Sequence, residues 1–317
     1  MQWNERARPM SLKHIVGQKN FISDAESWQS NDEWPSSLLL VGPPGAGKTT
    51  SARVIARAVL GEFYDPVNYL ETNASDERGI DSIRGELKTF AGTRPLGADR
   101  RVALLDEADG LTPAAQDAMR QVIENHSENC LFILTANQAD KIRPAIKSRC
   151  AVYEFKPLTP EEGAMHLTNV CVAVNLDFNI IEAWKPLFPR LVHIHNGDLR
   201  ACVNTLQSLK HDEDALKEKC KEMDVVSDAA ASALVDNWLE MRVSLHNALD
   251  RGSTRMMVMQ SFYQNISSFF EIGEDTNRLW DILAVYSDMM SRIHEWPDNS
   301  YSYVDCFIAK LKKELNN

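Results

Sequence analysis

Short runs of apolar residues alternate with helical patterns between residues 36 and 155. Three of these runs have the continuous apolar character of strands that are buried on both faces. They are SLLLVG (37–42), RVALLDEAD (101–109) and NCLFILTAN (129–137). The stretches KTTSARVIARAVL (48–60) and PAAQDAMRQVIEN (113–125) have the spacing of amphipathic helices. Because strand–helix alternation favours right-handed crossovers, the pattern predicts an α/β fold with a parallel sheet.

The pattern changes at FKPLTPEE (155–162), after which only helical periodicity is found. The pairs Thr112-Pro113 and Thr159-Pro160 mark helix starts, because Thr suits the N-cap and Pro the first helical position. Beyond a charged segment at 210–224, four helices are predicted. They cover 228–247, 253–271, 274–293 and 301–315. We therefore predict three domains. They are an α/β domain at 1–157, a small helical domain at 158–225 and an all-helical domain at 226–317.

Composition narrows the class of protein. The 317 residues are 44% hydrophobic and 25% charged, which is ordinary for a globular protein. No apolar run approaches the roughly 18 residues of a membrane span, and the first residues lack the apolar segment of a secretory signal. The six cysteines are scattered without a CxxC pair. A zinc site or disulfide framework is therefore not expected, and a cytoplasmic location is.

Charge is distributed unevenly along the chain. The net charge of −11 divides into −3 for residues 1–210 and −8 for residues 211–317. The decapeptide KIRPAIKSRC (141–150) stands out because it holds four basic residues and no acidic one. By itself it is typical of a solvated basic helix end. If the protein binds a polyanion, we expect the N-terminal part to do so through local basic patches.

A phosphate-binding loop is predicted at 42–50. The stretch GPPGAGKTT follows a predicted strand and opens a predicted helix, and it fits the eight-position phosphate-loop pattern. Its glycines let backbone N–H groups turn towards phosphates at the positive end of the helix. Lys48 is expected to reach the β- and γ-phosphates of ATP, and Thr49 to offer its hydroxyl to Mg²⁺. The expected nucleotide contacts are Gly42, Pro43, Pro44, Gly45, Ala46, Gly47, Lys48, Thr49 and Thr50.

Polar residues at two further strand ends complete a hydrolytic site. In VALLDEAD (102–109), four apolar residues bring Asp106 to a strand end, where its carboxylate can hold Mg²⁺. Glu107 is the candidate to activate a water molecule for in-line attack, and Asn137 can hold that water from the next strand. The combination predicts ATP hydrolysis as well as ATP binding.

With these residues in place, the chain resembles the AAA+ ATPases, and within them the small subunits of replication factor C, the archaeal and eukaryotic sliding-clamp loader. Eight stretches match the family in order as far as residue 207. Three of them are the phosphate loop, LLDEAD and the helix stretch LTPAAQDAMR (111–120). The other five are WNERARP (3–9), IVGQ (15–18), NASDERGID (73–81), SRC (148–150) and GDLRACVNTLQ (197–207). The last hundred residues match only in length and helical character. The resemblance implies an AAA+ domain, a helical lid and a helical collar.

The resemblance also implies roles around the nucleotide. Arg149 of SRC would be an arginine finger supplied in trans to the ATP site of a neighbouring subunit, which makes hydrolysis conditional on assembly. Arg200 of GDLR would contact the γ-phosphate in cis, and Asn137 would contact the nucleotide too. Val16 and Gly17 of IVGQ would line the adenine.

Contacts with other molecules are implied as well. Arg84 and Lys88 of IRGELK (83–88) would follow DNA phosphates, which positions a protein without reading sequence. Gln116 would link DNA binding to Glu107, and the helix at 113–125 would face the clamp. The expected partners are further loader subunits (self copies plus a large subunit), a sliding clamp and primer–template DNA, with no membrane.

The chain departs from the family pattern at two places, and three other kinds of protein are considered as alternatives to a loader subunit of this family. TANQ stands where the family has Cys-Asn-Tyr, and WKPLFPRLVHIH (184–195) places two prolines in a region that is a regular helix in the family. A hexameric AAA+ DNA motor would share the phosphate loop, but a basic winged-helix domain would be expected where this chain is acidic. A non-catalytic scaffold is disfavoured by Glu107, Asn137 and Arg149 together. A bacterial-type loader would carry a four-cysteine zinc module.

Overall fold

The computed structural model divides the chain into two compact units, Met1–His211 and Asp212–Asn317. It describes residues 2–74, 80–195, 197–209, 212, 214–217, 220, 229, 232–233, 236–250, 254–272, 276–295 and 301–315.

A five-stranded parallel sheet forms the centre of the N-terminal unit. Its strands are β1 (Ser37–Val41), β2 (Tyr69–Asn73), β3 (Arg101–Asp106), β4 (Cys130–Ala136) and β5 (Ala151–Glu154). They lie in the order β2-β3-β4-β1-β5. Strand β1 pairs with both β4 and β5, and every pairing is parallel. The predicted α/β fold is confirmed.

Helices cover both faces of this sheet. They are α1 (Trp3–Arg6), α2 (Lys19–Asn31), α3 (Lys48–Leu60), α4 (Ile80–Gly92), α5 (Pro113–His126) and α6 (Pro144–Lys147). Short 3₁₀ turns occupy Leu12–His14, Gly61–Phe63, Ala108–Gly110 and Ala139–Lys141. Leu39 and Phe132 point into one apolar core together with residues of α4 and α5. Leu38 and Leu131 point into the other, which includes residues of α2 and α3.

The three predicted strands are confirmed, but β2 and β5 were not predicted. Both are edge strands, and their residues are only partly buried. YLETN and AVYE therefore lack the continuous apolar run that marks a central strand. The helix starts at Thr112 and Thr159 are also confirmed. The Thr112 hydroxyl accepts a bond from the Ala115 backbone N–H, and Thr159 forms a capping box with Glu162.

Four helices follow β5 within the same unit. They are α7 (Pro160–Ala173), α8 (Phe178–Trp184), α9 (Phe188–Ile194) and α10 (Leu199–Ser208), with a 3₁₀ turn at Lys185–Leu187 between α8 and α9. The two prolines of this region lie in the first positions of the turn and of α9, where a missing N–H removes no helical bond. Trp184 and Phe188 are fully buried beside them. The prolines divide the region into short helices and leave it well packed.

The C-terminal unit is helical throughout its described elements. They are α11 (Trp238–Asp250), α12 (Arg255–Ile272), α13 (Thr276–Ser291) and α14 (Tyr301–Leu315), with a 3₁₀ turn at Ile293–Glu295. A core that includes Met241, Phe262 and Phe307 holds them together. The single helix predicted at 228–247 is wrong. Asp236 adopts a left-handed φ of 60°, and the Asn237 side chain then accepts a bond from the Glu240 N–H, so α11 starts afresh.

The described residues give no sign of a membrane span or a protein-only metal cluster. None of their helices combines the length and apolar character that a bilayer crossing needs. No group of three or more His, Cys, Asp or Glu side chains is placed to hold a metal within the described part. All six cysteines are free thiols.

The crossing of α7 and α9 predicts an unusual response to a glycine substitution. A Cβ on Gly163 would lie 2.5 Å and 2.6 Å from the two methyl groups of Val192. Replacing Gly by Ala inside a helix normally stabilises by about 1 kcal/mol, but overpacking costs about 1–3 kcal/mol. We therefore expect Gly163→Ala to lower the free energy of unfolding by about 1 kcal/mol, as measured by urea titration.

Two variants serve as controls. Val192→Ala makes room, so Gly163→Ala added to it should no longer destabilise. A Cβ on Gly85 meets no atom within 4 Å, so Gly85→Ala in α4 should stabilise by up to about 1 kcal/mol. Equal effects at positions 163 and 85 would contradict the packing argument.

Candidate functional site

The phosphate loop joins the end of β1 to the start of α3. Gly45 and Gly47 have left-handed φ values of 74° and 93°, which residues with a Cβ rarely adopt. Gly42 is required for a different reason, since a Cβ there would lie 2.2 Å from the Phe155 carbonyl oxygen. The loop is therefore a strand-to-helix turn with glycines where the backbone needs them, as the sequence predicts.

Lys48 is the central charged group of the loop. Its side chain is buried, and its ammonium group donates three hydrogen bonds. The acceptors are the carbonyl oxygens of Gly42 (2.7 Å) and Pro43 (2.8 Å) and Oδ1 of Asn137 (2.9 Å). Burial lowers the pKa of Lys48, while the nearby carboxylates of Asp106 and Asp109 oppose this shift. The bond to Asn137 joins the phosphate loop to the end of β4.

A hydroxyl and a carboxylate meet beside the loop. Oδ1 of Asp106 accepts bonds from the hydroxyls of Thr49, at 2.8 Å, and Thr135, at 2.5 Å. Thr49 and Asp106 come from different elements, yet their oxygens are adjacent. Hard oxygen donors of this kind fit Mg²⁺, which commonly takes one or two protein ligands and fills its remaining positions with phosphate oxygens and water. The pair predicted from sequence is thus brought together.

Glu107 follows Asp106 and is held by its surroundings. Its φ of 57° is left-handed, which turns the chain sharply after β3. Its backbone N–H donates to the Thr135 hydroxyl at 3.1 Å, and its Oε2 accepts a bond from the Asn73 side chain at 3.3 Å. The carboxylate is therefore anchored at the carboxyl edge of β2 and β3, beside the same cavity.

A cavity of about 570 Å³ connects these groups, within the usual size range of small-molecule sites. It is lined by the phosphate loop from Pro44 onwards, by the ends of β3 and β4, and by residues before α2, in α7 and in α10. The predicted nucleotide contacts that line it are Val16, Pro44, Gly45, Ala46, Gly47, Lys48, Thr49, Thr50, Asn137 and Arg200. Three others, Gly17, Gly42 and Pro43, are not among its lining residues.

The helices after β5 contribute one wall of the cavity. A Cβ on Gly45 would lie 2.0 Å from Oδ1 of Asp198, so the phosphate loop and the start of α10 are in close contact. Asp198 caps α10 by accepting a bond from the Ala201 N–H at 3.0 Å. Arg200, in the first turn of this helix, is exposed and lines the cavity. The predicted position of Arg200 at the nucleotide is therefore geometrically available.

Arg149 lies elsewhere on the unit. Among the described residues that line the cavity, Arg149 does not appear. Its guanidinium pairs with Glu124 of α5 and donates to the Ala145 carbonyl at 2.8 Å and the Ser148 hydroxyl at 3.2 Å. About a third of its side chain is exposed. Arg149 is thus held on a surface away from its own phosphate loop.

Gln116 is buried, and its side chain bonds to backbone atoms on both sides of α5. Its amide group donates to the carbonyl oxygens of Leu111 (3.2 Å) and Lys141 (2.9 Å), and its Oε1 accepts from the Arg143 N–H (2.9 Å). It therefore fastens α5 to the turn that leads to α6 and Arg149. These bonds do not include Glu107.

The expected DNA and clamp contacts are only partly described. Lys88 is exposed on α4, whereas the side chain of Arg84 and residues 75–79 of NASDERGID lie outside the described part of the structure. Most apolar residues of α5, including Met119 and Ile123, are buried in the core, whereas Pro113 and Ala114 at its start are exposed. Contact between α5 and a clamp would therefore have to use its exposed residues, which are mainly polar.

Three residues at the site were not identified from sequence. Thr135 is a buried polar residue in the apolar run LFILTA, which is a usable signal. Asn73 ends the strand that the pattern missed. His166 lines the cavity from α7 and sits in an unremarkable helical stretch, so only the fold brings it to the site.

His166 predicts a pH dependence of stability. Burial lowers its pKa from 6.5 to about 4, so the folded protein keeps this ring neutral while the unfolded chain takes up a proton below pH 6.5. Stability should fall as the pH decreases from 6.5 towards 4, by about 1.4 kcal/mol per unit. At pH 5 this amounts to at most about 2 kcal/mol.

The free energy of unfolding should fall less between pH 7.5 and pH 5.0 in His166→Gln than in the wild type, because the contribution of His166 is gone. Urea titrations at the two pH values measure it, and His193→Gln, at an exposed position of α9, is the matched control. An identical pH-dependent loss in both variants would refute the assignment.

Comparison with known proteins agrees with this geometry. Residues 38–158 match the family described as ATPase family associated with various cellular activities (AAA). The replication factor C small subunit of Methanothermobacter thermautotrophicus is 34% identical over 306 residues, covering 92% of each chain. The protein of the same name from Methanococcus maripaludis strain C7 is 35% identical over 78% of this chain and 79% of its own length. That from Methanoregula boonei is 40% identical over 65% of this chain and 62% of its own length.

Among solved structures, the Thermotoga maritima RuvB Holliday junction branch migration motor is similar at a TM-score of 0.48. It is 19% identical and the match covers 70% of this chain and 78% of that one. This similarity is too distant to carry an argument about function. The relative from M. thermautotrophicus, by contrast, matches nearly end to end. The chain therefore belongs to the replication factor C small-subunit family and carries an AAA-type ATPase domain.

Proposed function

We propose that the chain is an ATP-hydrolysing subunit of a sliding-clamp loader, which acts in a ring-like assembly with copies of itself and a larger subunit. The observation that carries the proposal is a separation of groups. Lys48, Asp106 and Glu107 line one cavity, whereas Arg149 is held on another surface. A hydrolytic site whose own cavity does not include Arg149, on a chain that holds this arginine on another surface, is suited to completion by a neighbouring subunit.

ATP binding is supported by the bonds of Lys48. The three acceptors of its ammonium group lie at the mouth of the loop, and the β- and γ-phosphates of ATP would take over some of these bonds. Backbone N–H groups at the start of α3 face the same space, where the helix dipole favours negative charge. Val16, which lines the same cavity, would contact the base.

Thr49 and Asp106 would hold Mg²⁺, which when bound neutralises charge on the β- and γ-phosphates. Their oxygens are 2.8 Å apart and belong to the hydroxyl and carboxylate types that suit this ion. Thr135 orients the same carboxylate from β4. The chain thus supplies two oxygens and leaves the remaining positions to the nucleotide and water.

Glu107 would accept a proton from the attacking water. The Asn73 amide donates a hydrogen bond to its Oε2 and so orients the carboxylate before the reaction. Asn137 accepts a hydrogen bond from the Lys48 ammonium group. Its amide would therefore lie near the γ-phosphate while it holds the water. Arg200 would bring positive charge to the same phosphate from α10.

Arg149 would reach the cavity of the next subunit in the ring. Its anchors at Glu124, Ala145 and Ser148 pre-orient the guanidinium on the surface. There it would neutralise charge on the transferring phosphoryl group, a contribution worth roughly 10³–10⁵ in rate for arginine fingers. ATP hydrolysis would then release a clamp that the assembly has opened and placed on primer–template DNA.

The proposed role of Arg149 predicts a change in turnover in the assembled protein. With the larger subunit, clamp and primed DNA present, Arg149→Ala should lose about a thousandfold or more of the steady-state ATPase rate, within the range for arginine fingers. ATP binding should remain, because Arg149 does not line its own cavity. Mixing Arg149→Ala with the inactive Lys48→Ala should restore turnover, since each variant supplies what the other lacks.

Arg143→Ala is the matched control, because Arg143 lies in the same basic decapeptide but pairs with Asp117. It should leave turnover within about twofold. A silent Arg149→Ala, or no recovery on mixing, would contradict the trans arrangement. Equal stimulation by unprimed strands or junctions without a clamp would favour a DNA motor instead.

A second prediction concerns DNA. Lys88 is exposed on α4, so Lys88→Ala should weaken primer–template binding by the assembly equally for all sequences. It should also reduce the slope of log affinity against log salt by about 1 for each phosphate that the assembly no longer neutralises. Lys19→Ala, at the exposed start of α2, is the control. An unchanged salt slope in Lys88→Ala would remove Lys88 from the DNA surface.

A further inference from the structure

A five-residue segment connects the sheet to the helices that carry Arg200. We call residues 155–159, between β5 and α7, the hinge segment. Its first residue is anchored to the sheet, since the Phe155 N–H donates to the Val41 carbonyl at 2.6 Å and its ring is buried. Its last residue, Thr159, begins α7 through a capping box. Any change in the angle between the sheet and α7–α10 has to pass through this segment.

Gln18 bonds twice to Lys156, the second residue of the hinge segment. Its Nε2 donates to the Lys156 carbonyl at 2.7 Å, and its Oε1 accepts from the Lys156 N–H at 3.2 Å. A primary amide can donate and accept at once without charge, which a carboxylate or an ammonium group cannot do. The two bonds therefore reproduce a strand-like pairing between a side chain and a backbone 138 residues away.

The position of Gln18 makes this choice of residue informative. Gln18 is the N-cap of α2, but its side chain makes no capping bond, and Gln is not a favoured N-cap residue. Its φ of 50° is left-handed, which is uncommon for a residue with a Cβ. Neither helix capping nor backbone preference accounts for Gln here, whereas the paired bonds to Lys156 do.

Gly17 and Gly197 both lie close to Leu158 of the hinge segment. A Cβ on Gly17 would lie 2.1 Å from Cδ2 of Leu158, and one on Gly197 would lie 2.9 Å from the Leu158 nitrogen. Leu158 is buried and lines the nucleotide cavity. The hinge segment is thus in close contact with both the IVGQ stretch and the turn before α10.

Two residues of IVGQ face the cavity and two contact the hinge segment. Ile15 and Val16 line the cavity, while Gly17 and Gln18 contact the hinge segment. We propose that Gln18 is a positioning residue that couples the occupant of the cavity to the angle of α7–α10, and so sets where Arg200 meets the γ-phosphate. The inference rests on the proposed function of Arg200 and deepens it, because it names the residue through which that arginine is placed.

A double-mutant cycle tests this coupling. The dissociation constants of ATP and ADP are measured for the full chain, for Gln18→Met, for Arg200→Ala and for the double variant. Gln18→Met keeps the length of the side chain and removes both bonds. Losing two hydrogen bonds of this kind should weaken ATP binding roughly three- to tenfold. Gln29→Met, at an exposed position of α2, is the matched control and should have no effect.

The cycle has a defined expected result. Arg200→Ala should weaken ATP binding about tenfold in the wild-type background and ADP binding less than about twofold, because only ATP has a γ-phosphate. In the Gln18→Met background, the same substitution should weaken ATP binding less than about threefold, because Arg200 is already misplaced. Effects that simply multiply would overturn the proposal, since a purely structural Gln18 would act independently of Arg200.

Amide hydrogen exchange provides a second measurement that does not depend on Arg200. In the wild type, ATP should slow exchange in both α3 and α7–α10. In Gln18→Met, saturating ATP should still protect α3 but no longer α7–α10. Protection of both regions in the variant would overturn the proposal. If Arg200→Ala leaves ATP binding unchanged in the wild type, the proposed role of Arg200 fails, and the exchange result alone decides whether Gln18 transmits the occupancy of the cavity.

Discussion

The buried ammonium group of Lys48 is the constraint on which the site depends. A buried charge is costly unless it is fully hydrogen-bonded, and all three of its protons have acceptors here. Two acceptors belong to the phosphate loop and the third to Asn137 at the end of β4. The ammonium group thereby ties the turn between β1 and α3 to the neighbouring strand. The arriving triphosphate enters a site in which a positive charge is already placed and largely desolvated.

Close backbone approaches connect this charge to the rest of the N-terminal unit. Gly45 touches Asp198 at the start of α10, Gly42 touches Phe155 at the start of the hinge segment, and Gly17 touches Leu158 within it. Each contact leaves no space for a Cβ, so the phosphate loop, the hinge segment and α10 cannot shift independently without loss of packing. The cavity is consequently built from parts in direct contact, and ATP bound in it would bear on all of them.

The sequence predicts the centre of this fold well and its edges poorly. The central strands and the loop at 42–50 have strong local signals, namely continuous apolar runs and a glycine–lysine pattern. The strands are confirmed, and the loop forms the expected strand-to-helix turn. Edge strands β2 and β5 are half exposed and lack that signal. The break at Asp236 depends on one left-handed residue, which helical periodicity does not reveal. Asn73, His166 and the bonds of Gln18 to Lys156 arise from contacts between distant segments, so no local pattern announces them.

The most direct test of the account is the specific ATPase activity of the chain, mixed with the larger subunit at a fixed ratio, as a function of total protein concentration. If each cavity needs Arg149 from a neighbour, activity per chain should approach zero on dilution and rise to a plateau as the assembly forms. The midpoint should match the concentration at which the assembly appears by light scattering. Activity per chain that stays constant across the dissociation range would show that each cavity is complete by itself, and would contradict the account.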